Sequence, residues 1–315
     1  MALDHFVPQV YLRQWVDDAS NGLLRAIQKS DQRQFTPTTR AVCAVSDGNT
    51  NPYLREPRAI EEFLTSIEPK YEWAVRSFID GKVHREAIYV IAGLLASVIV
   101  CSPGGLRINA APMKSILEEV GCRLDRCGKF PKPPAELGGI SFSELMEKGL
   151  IDLKIDPKYP QAYDIISILS HVNAFGNFRW EFLENTFEDS PFFTSDYPVA
   201  IEHGSGSVIH RILPLTPFIA VRIIPDTTVD LSNVDFGFRN FRHRVTKLDR
   251  ARVRYINRLI VQCAEKVVFH LHDAPWIPAF VEKYSGFRIE SISTKIPQGK
   301  GTVLASTLVV TDDWA

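Results

Sequence analysis

An uncharged run of fourteen residues, 87–100 (AIYVIAGLLASVIV), constrains the fold of this chain more than any other feature. A helix that crosses the hydrocarbon of a membrane needs about 20 apolar residues, so this run is too short to span one. Pro103, Gly104 and Gly105 follow the run and are expected to stop its helix. We therefore predict a central buried helix in a globular core, and no membrane partner.

The hydrophobic period changes along the chain. Between about 57 and 176, apolar residues recur at helical spacing, as in the segment 60–67. From about 177 to 310, the pattern becomes a series of short β-rich runs split by turns. We predict an α+β fold in which a helical N-terminal half packs on a mostly antiparallel sheet in the C-terminal half, within one domain spanning 1–315.

Charge and cysteine content narrow the class of protein. The 36 basic and 37 acidic residues give a net charge of −1, so only a local patch could hold nucleic acid or an anionic membrane. The five cysteines lack metal-ligand spacing, and Cys122 and Cys127 are too far apart for a CxxC pair. We expect reduced thiols and neither a metal nor a cofactor. Residues 1–8 lack the pattern of a signal peptide, so a cytoplasmic location is expected.

The first polar motif is HFVPQVYL at 5–12. With Asp4 as a helix cap, a helix would place His5 and Gln9 one above the other on one face. A histidine beside an amide suits proton transfer or anion binding. The alternative is that both side chains tie down the end of the chain through hydrogen bonds. An active role requires this end to pack into the body of the protein, beside the second motif.

That second motif is SPFFTSDYPVAI at 190–201, a predicted strand that enters a tight turn. Asp196, at the strand end beside apolar residues, can have a raised pKa or hold a basic partner. Ser195 lacks the GxSxG frame that exposes a nucleophilic serine, so it is the weaker candidate. The alternative is a turn in which these side chains satisfy local backbone groups.

A resemblance to a known family extends over residues 5 to about 270. The segments that carry it are HFVPQVYLRQW at 5–15, AVCAV at 41–45, IEPKYEWAV at 67–75, FRWEFL at 178–183, PFFTSDYPV at 191–199 and ILPLTP at 212–217. Together they resemble domain of unknown function 4238. The resemblance implies no particular reaction. A role in bacterial defence is an expectation from the type of family alone, and no residue of this chain indicates it. The positions it marks are His5, Pro8, Gln9, Glu68, Trp180, Ser195, Asp196 and Pro198.

The family pattern also implies an arginine before a proline at the end of the core helix, where this chain has Cys101, Ser102 and Pro103. Arg252 is a candidate replacement. If Lys247 to Cys263 is a helix, its apolar face contains Arg252, which would then need a partner such as Asp196 or Glu68. The alternative is that the helix starts later, or that the Arg252 side chain reaches the surface.

The segment 239–258 carries the one notable charge patch, with eight basic residues against Asp249. In a helix, four of them form a stripe that could follow phosphate groups. The members of that stripe are Lys247, Arg250, Arg254 and Arg258. The alternative is a solvated face whose charges pair with acids elsewhere in the chain.

Two functional hypotheses follow. In the first, a hydrolase-like enzyme uses His5 as the general acid or base, oriented by Gln9, with Glu68 and Asp196 as carboxylate partners and Ser195 as a hydrogen-bond donor. In the second, a non-enzymatic binding or sensing module contacts nucleic acid or a nucleotide through 239–258. The residues expected to bind there are Arg252 and Arg254, with Trp180 as an aromatic platform. A third interpretation is that the motifs only stabilise the fold.

Overall fold

The uncharged run 87–100 lies within a helix, α4 (Arg85–Cys101), in the computed structural model of the protein. Its side chains are buried on nearly all sides, as expected for a helix without a polar face. Ser102 ends α4 and caps the next helix, α5 (Pro103–Arg126), by accepting a hydrogen bond of 3.1 Å from the Gly105 N–H. The prediction of a central buried helix is confirmed.

The structure describes residues 3–17, 21–131, 133, 136, 138–299 and 301–312. Besides α4 and α5, the helices are α1 (Gln9–Leu12), α2 (Ala59–Ile67), α3 (Tyr71–Ile79), α6 (Phe142–Glu147), α7 (Lys158–Ile166), α8 (Ile168–Asn177), α9 (Arg250–Cys263) and α10 (Trp276–Tyr284). The strands are β1 (Leu3–His5), β2 (Arg25–Gln28), β3 (Gln34–Phe35), β4 (Ala44–Ser46), β5 (Arg179–Glu184), β6 (Thr194–Ser195), β7 (Ala200–His203), β8 (Ile209–Thr216), β9 (Ile219–Ile224), β10 (Arg242–Lys247), β11 (Val267–His270), β12 (Arg288–Gln298) and β13 (Gly301–Thr311).

These strands form two larger sheets and two strand pairs. The larger sheet has the order β10-β5-β9-β8-β7, with β10 parallel to β5 and the other neighbours antiparallel. A second sheet, β3-β2-β11-β6, is antiparallel throughout. The strands β12 and β13 pair as a long hairpin, and β1 pairs with β4. Helices and mixed sheets together make this an α+β protein, as predicted.

The division into halves is less clean than predicted. The second sheet joins β2, from the N-terminal part of the chain, to β11 and β6 from the C-terminal part. Two helices, α9 and α10, lie in the part predicted to be sheet-rich. The single-domain organisation stays a prediction.

The helix α3 packs on the five-stranded sheet and contacts α4. The Phe78 ring of α3 contacts Trp180 of β5, with ring centroids 5.9 Å apart. The helix α9 lies next to β7 of the same sheet. At the junction of α4 and α5, a Cβ on Gly105 would lie 2.0 Å from the Ile99 carbonyl oxygen, so only glycine permits this close approach.

No single helix in the described ranges is both long and apolar enough to cross a membrane. By length and composition α4 and α5 qualify only as a pair, and that pair is bent by 66°.

Candidate functional site

The N-terminal segment is docked beside the strand that begins the TSD turn. The Tyr11 and Thr194 hydroxyl groups form a buried hydrogen bond of 2.6 Å. The Trp15 indole Nε1 donates to the Phe192 carbonyl oxygen at 2.8 Å, and this contact is also buried. The packing that an active role of this segment requires is therefore present, although Tyr11 and Trp15 make the contacts rather than His5.

Two further segments meet at the same place. The Tyr71 ring lies edge-on to the Tyr11 ring at 5.8 Å, and the Tyr71 hydroxyl donates to the Leu215 carbonyl oxygen at 2.6 Å. Burial raises the pKa of both tyrosines well above the ordinary value, so both hydroxyl groups keep their protons. Buried hydrogen bonds thus join the segments 5–15 and 191–199 and the segments 67–75 and 212–217, and the Tyr11–Tyr71 ring contact connects the two pairs.

The predicted pairing of His5 with Gln9 is wrong. His5 lies on β1, opposite Ala44, and its Nε2 is 3.2 Å from the Arg40 carbonyl oxygen. Gln9 is the first residue of α1, because the extended backbone of Pro8 delays the start of the helix. Asp4, the expected helix cap, instead accepts a hydrogen bond from the Asn49 N–H and pairs with Arg58.

In the TSD turn, the side chains of Ser195 and Asp196 bind backbone groups. The Ser195 hydroxyl accepts a hydrogen bond of 3.2 Å from the Tyr197 N–H. The two carboxylate oxygens of Asp196 accept from the Glu265 N–H at 3.0 Å and the Lys266 N–H at 2.8 Å. Burial raises the pKa of Asp196 to about 6, against the effect of these hydrogen bonds. Ser195 therefore acts as the turn interpretation predicts, whereas Asp196 binds the backbone of a segment about 70 residues away.

Glu68 and Trp180 lie apart from this turn. Glu68 belongs to a short 3-10 turn after α2, and burial, followed by repulsion from Glu61, raises its pKa to about 7. Within the described ranges, no hydrogen bond or ion pair joins Glu68 to His5 or Asp196. Trp180 is fully buried, and its Nε1 donates to the Phe175 carbonyl oxygen at 2.8 Å. The prediction that Trp180 offers a binding platform is wrong, because its ring belongs to the core.

A cavity of about 270 Å³ adjoins Asp196, and Phe6, Cys43 and Glu265 are among its lining residues. The Glu265 carboxylate receives two hydrogen bonds from Arg107 of α5, at 3.1 and 2.7 Å. Arg107, one turn into α5, thus pairs with a residue whose backbone N–H binds Asp196, but in the described ranges it forms no ion pair with Asp196 or Glu68. Arg107 was not among the predicted site residues.

Arg252 itself is near neither predicted partner. Its side chain is 46% exposed, lies 3.9 Å from the Glu202 carboxylate and stacks over the Tyr255 ring. The reason is that α9 starts at Arg250, capped by Asp249, whose carboxylate accepts a hydrogen bond from the Arg252 N–H at 2.8 Å. Lys247 lies on β10, so the predicted helical stripe keeps only Arg250, Arg254 and Arg258.

Part of the basic segment is neutralised by acids of the five-stranded sheet. Four charged side chains of that sheet form what we call the charged layer: Glu181, Glu202, Arg222 and Arg244. Arg222 pairs with Glu181 at 2.7 Å and with Glu202 at 3.0 Å, and Arg244 pairs with Glu181 at 2.8 Å. Glu181 and Arg222 are almost completely buried. Despite this burial, a hydrogen bond from the Thr246 hydroxyl and the charges of Arg222 and Arg244 hold the pKa of Glu181 below its usual range.

A groove between α9 and α10 contains Arg250 and Arg254 of the basic segment, together with Lys283. Its cavity of about 470 Å³ is lined by Ser190, Arg250, Arg254, Asn257, Trp276, Ala279, Phe280 and Lys283. We call this the α9–α10 groove. Arg254 lies over the Phe280 ring, with the guanidinium carbon 6.0 Å from its centroid. The Trp276 ring stacks on Phe193 at 5.6 Å and is 37% exposed.

In the residues that the structure describes, no cluster of three or more His, Cys, Asp or Glu side chains could hold a metal ion. The five cysteines are free thiols. Cys43, Cys101 and Cys263 are buried, and Cys127 is exposed.

The comparison with protein families identifies the chain. The model of the family described as "Protein of unknown function (DUF4238)" matches residues 4–274. The chain belongs to this family. Comparison with curated proteins and with solved structures gives no match.

The DUF4238 match ends just before α10. The family segments therefore include the docked N-terminal segment, the TSD turn and α9, whereas Trp276 and Lys283 of the groove lie beyond them. The sequence interpretation missed α10 because Pro278 interrupts its pattern. Trp276, Phe280 and Lys283 nonetheless follow helical spacing, and a proline is tolerated in the first turn of a helix.

Proposed function

We propose that this protein is a binding module for single-stranded nucleic acid, with the α9–α10 groove as the binding site. The observation that carries the proposal is the composition of that groove. Three cationic side chains, Arg250, Arg254 and Lys283, surround the aromatic rings of Trp276 and Phe280. Single strands are held by this combination of charge for the phosphates and ring surfaces for the bases.

The charges of the groove are available to a ligand. Within the described part of the chain, Arg254 and Lys283 have no acidic partner. Arg250 pairs with Asp189 at 2.8 Å, but both side chains are more than half exposed. Exposed ion pairs contribute little free energy, so a phosphate group can displace Asp189 from Arg250.

The aromatic part of the groove is preorganised. Trp276 is nearly parallel to Phe193, with 18° between the ring planes, and Phe193 is fully buried. The indole is thereby held in place by the core while part of its surface stays open to solvent. Stacking of a base on such a ring contributes about 1–3 kcal/mol.

The hydrolase-like hypothesis has less support. Of its five residues, Asp196 lines the 270 Å³ cavity, but both of its carboxylate oxygens already accept backbone hydrogen bonds. The Ser195 hydroxyl is buried and accepts from the backbone as well. His5 and Glu68 have no contact with this pair in the described ranges, so no general base is paired with a nucleophile.

The test is a binding titration with short single-stranded DNA and RNA oligonucleotides, measured by fluorescence anisotropy over a series of salt concentrations. We expect binding that weakens as salt rises. Arg254→Gln with Lys283→Gln should weaken it about tenfold or more at low salt, and should reduce the slope of log K against log salt by about 1.4.

The matched control is Lys82→Gln with Arg85→Gln, an exposed basic pair at the start of α4. This variant loses the same formal charge and should bind as the wild type does. Equal loss in both variants would contradict the groove as the site, and absence of binding at low salt would contradict the function. A mononucleotide that competes as well as an oligonucleotide would show that the ligand is a nucleotide instead.

A further inference from the structure

Arg211, on β8, is a partly buried cation for which the described residues provide no ion pair. Its guanidinium lies over the Phe175 ring, 5.3 Å from the centroid. Burial lowers the pKa of Arg211, which reflects the loss of hydration by its charged form. An arginine that has lost part of its hydration gains from an anion that binds its guanidinium.

The side chain of Arg211 lines a cavity of about 290 Å³ at the meeting point of α5, α7 and the hairpin β12-β13. The cavity is distinct from the α9–α10 groove, with which it shares no lining residue. Its polar lining residues are Asn109, Asp164, Tyr197, Arg211 and Ser291. A space of this size that contains both a cation and an acid accommodates a small polar molecule.

Asp164 supplies the complementary end of the cavity. Its Oδ2 accepts a hydrogen bond of 2.8 Å from the Asn109 amide, which leaves Oδ1 for another partner. Burial raises the pKa of Asp164 to about 6. At neutral pH the carboxylate is therefore charged but poorly solvated, and it would gain from a hydrogen-bond donor.

We infer that this cavity binds a small molecule that carries a carboxylate or phosphate group toward Arg211 and an ammonium or hydroxyl group toward Asp164. A guanidinium presents paired N–H donors that match either oxyanion. The ligand also neutralises the unpaired charge of Arg211, so binding stabilises the folded protein.

The experiment uses the full chain with Arg254→Gln and Lys283→Gln as background, so that anions do not bind in the groove. Thermal unfolding and calorimetric titration are followed with acetate, inorganic phosphate and a series of ω-amino acids from glycine to 6-aminohexanoate. Sodium chloride at equal ionic strength is the reference. The amino-acid series varies the distance between the carboxylate and the ammonium group.

We expect at least one of these probes to raise the unfolding midpoint, saturably and beyond the effect of chloride. Arg211→Met should weaken that binding about tenfold or more. Asp164→Asn should leave acetate binding unchanged and remove any advantage of an amino acid over acetate. Without ligand, Arg211→Met should unfold at the same temperature as the parent or higher, because an unpaired charge has been removed.

A larger increase of the unfolding midpoint with phosphate than with acetate would identify the group bound by Arg211 as a phosphate. A larger increase with acetate would identify it as a carboxylate. The inference is overturned if no probe acts beyond chloride. It is also overturned if Arg211→Met binds the probes as well as the parent does. A lower unfolding midpoint for ligand-free Arg211→Met, without any probe effect, would make Arg211 a packing residue on Phe175.

Discussion

Single residues connect distant parts of the chain in this protein. The hydroxyl groups of Tyr11 and Tyr71 and the indole of Trp15 each make a buried hydrogen bond to a segment more than 140 residues away. The sequence indicated which segments matter, but it did not indicate which side chains make the contacts. Local spacing favoured His5 and Gln9, since a periodic pattern carries no information about partners so far along the chain.

We predict that Tyr11→Phe lowers the free energy of unfolding by about 1–2 kcal/mol, because the buried Thr194 hydroxyl loses its partner. Urea denaturation followed by fluorescence measures this change. The control is Tyr53→Phe, whose hydroxyl donates to Asp156 in an exposed contact, and we expect it to change stability by less than about 0.5 kcal/mol. If the two changes lower the free energy of unfolding equally, the buried Tyr11–Thr194 hydrogen bond contributes no more to stability than the exposed Tyr53–Asp156 one.

Among the elements, those with a clean helical period were predicted well. The periodicity within 60–67 and the apolar run 87–100 gave α2 and α4 with nearly the right limits. The start of α9 was missed because strand β10 is rich in arginine and shows little hydrophobic alternation. Its strand state depends on pairing with β5, where Arg244 lies opposite Glu181, and that pairing is a tertiary contact.

The charged layer gives a prediction for the five-stranded sheet. Arg222→Met should lower the free energy of unfolding by about 3–5 kcal/mol. The reason is that the buried carboxylate of Glu181 and the carboxylate of Glu202 both lose their main cationic partner. Arg244→Met removes an arginine that is 64% exposed from the same carboxylate, and should have an effect below about 1 kcal/mol. Chemical denaturation of both variants decides this. Similar losses would mean that Arg222 is not the principal partner.

For the molecule as a whole, raised carboxyl pKa values set the dependence of stability on pH. Asp164 and Asp196 have pKa values of about 6, and Glu68 about 7. Each group therefore keeps its proton in the folded protein over a range in which the unfolded chain has lost it. The folded state binds more protons between about pH 4 and 7, so the contribution of these groups to stability falls as pH rises through that window.

We predict that Asp164→Asn makes the fall in stability between pH 4 and 6 shallower than in the wild type. Denaturant unfolding at several pH values in that range, without added ligand, measures it. The control is Asp226→Asn, because the Thr228 hydroxyl and N–H lower the pKa of that exposed carboxyl, and its effect should be confined to pH values below about 4. Parallel curves for the wild type and Asp164→Asn would contradict a raised pKa at this site.

At this scale the fold class followed from the sequence, whereas the sites did not. The hydrophobic period indicates helix or strand for most regions, with β10 as an exception, but the groove and the Arg211 cavity bring together residues that are far apart in sequence. Arg254 and Lys283 line the same groove, and Arg211 and Asp164 line the same cavity. Such pairs depend on how the elements pack, which no local pattern in a single sequence specifies.

The burial of Tyr11 and Trp15 also has a consequence for protein synthesis. Tyr11 leaves the ribosome well before its partner Thr194, which is made 183 residues later. During most of translation, the apolar segment around Tyr11 and Trp15 has no core to enter and is a target for chaperones or for aggregation. The packing of Tyr11 and Trp15 can be completed only after residues 192–194 have emerged, so a pause in translation before that point would prolong the exposure of these side chains.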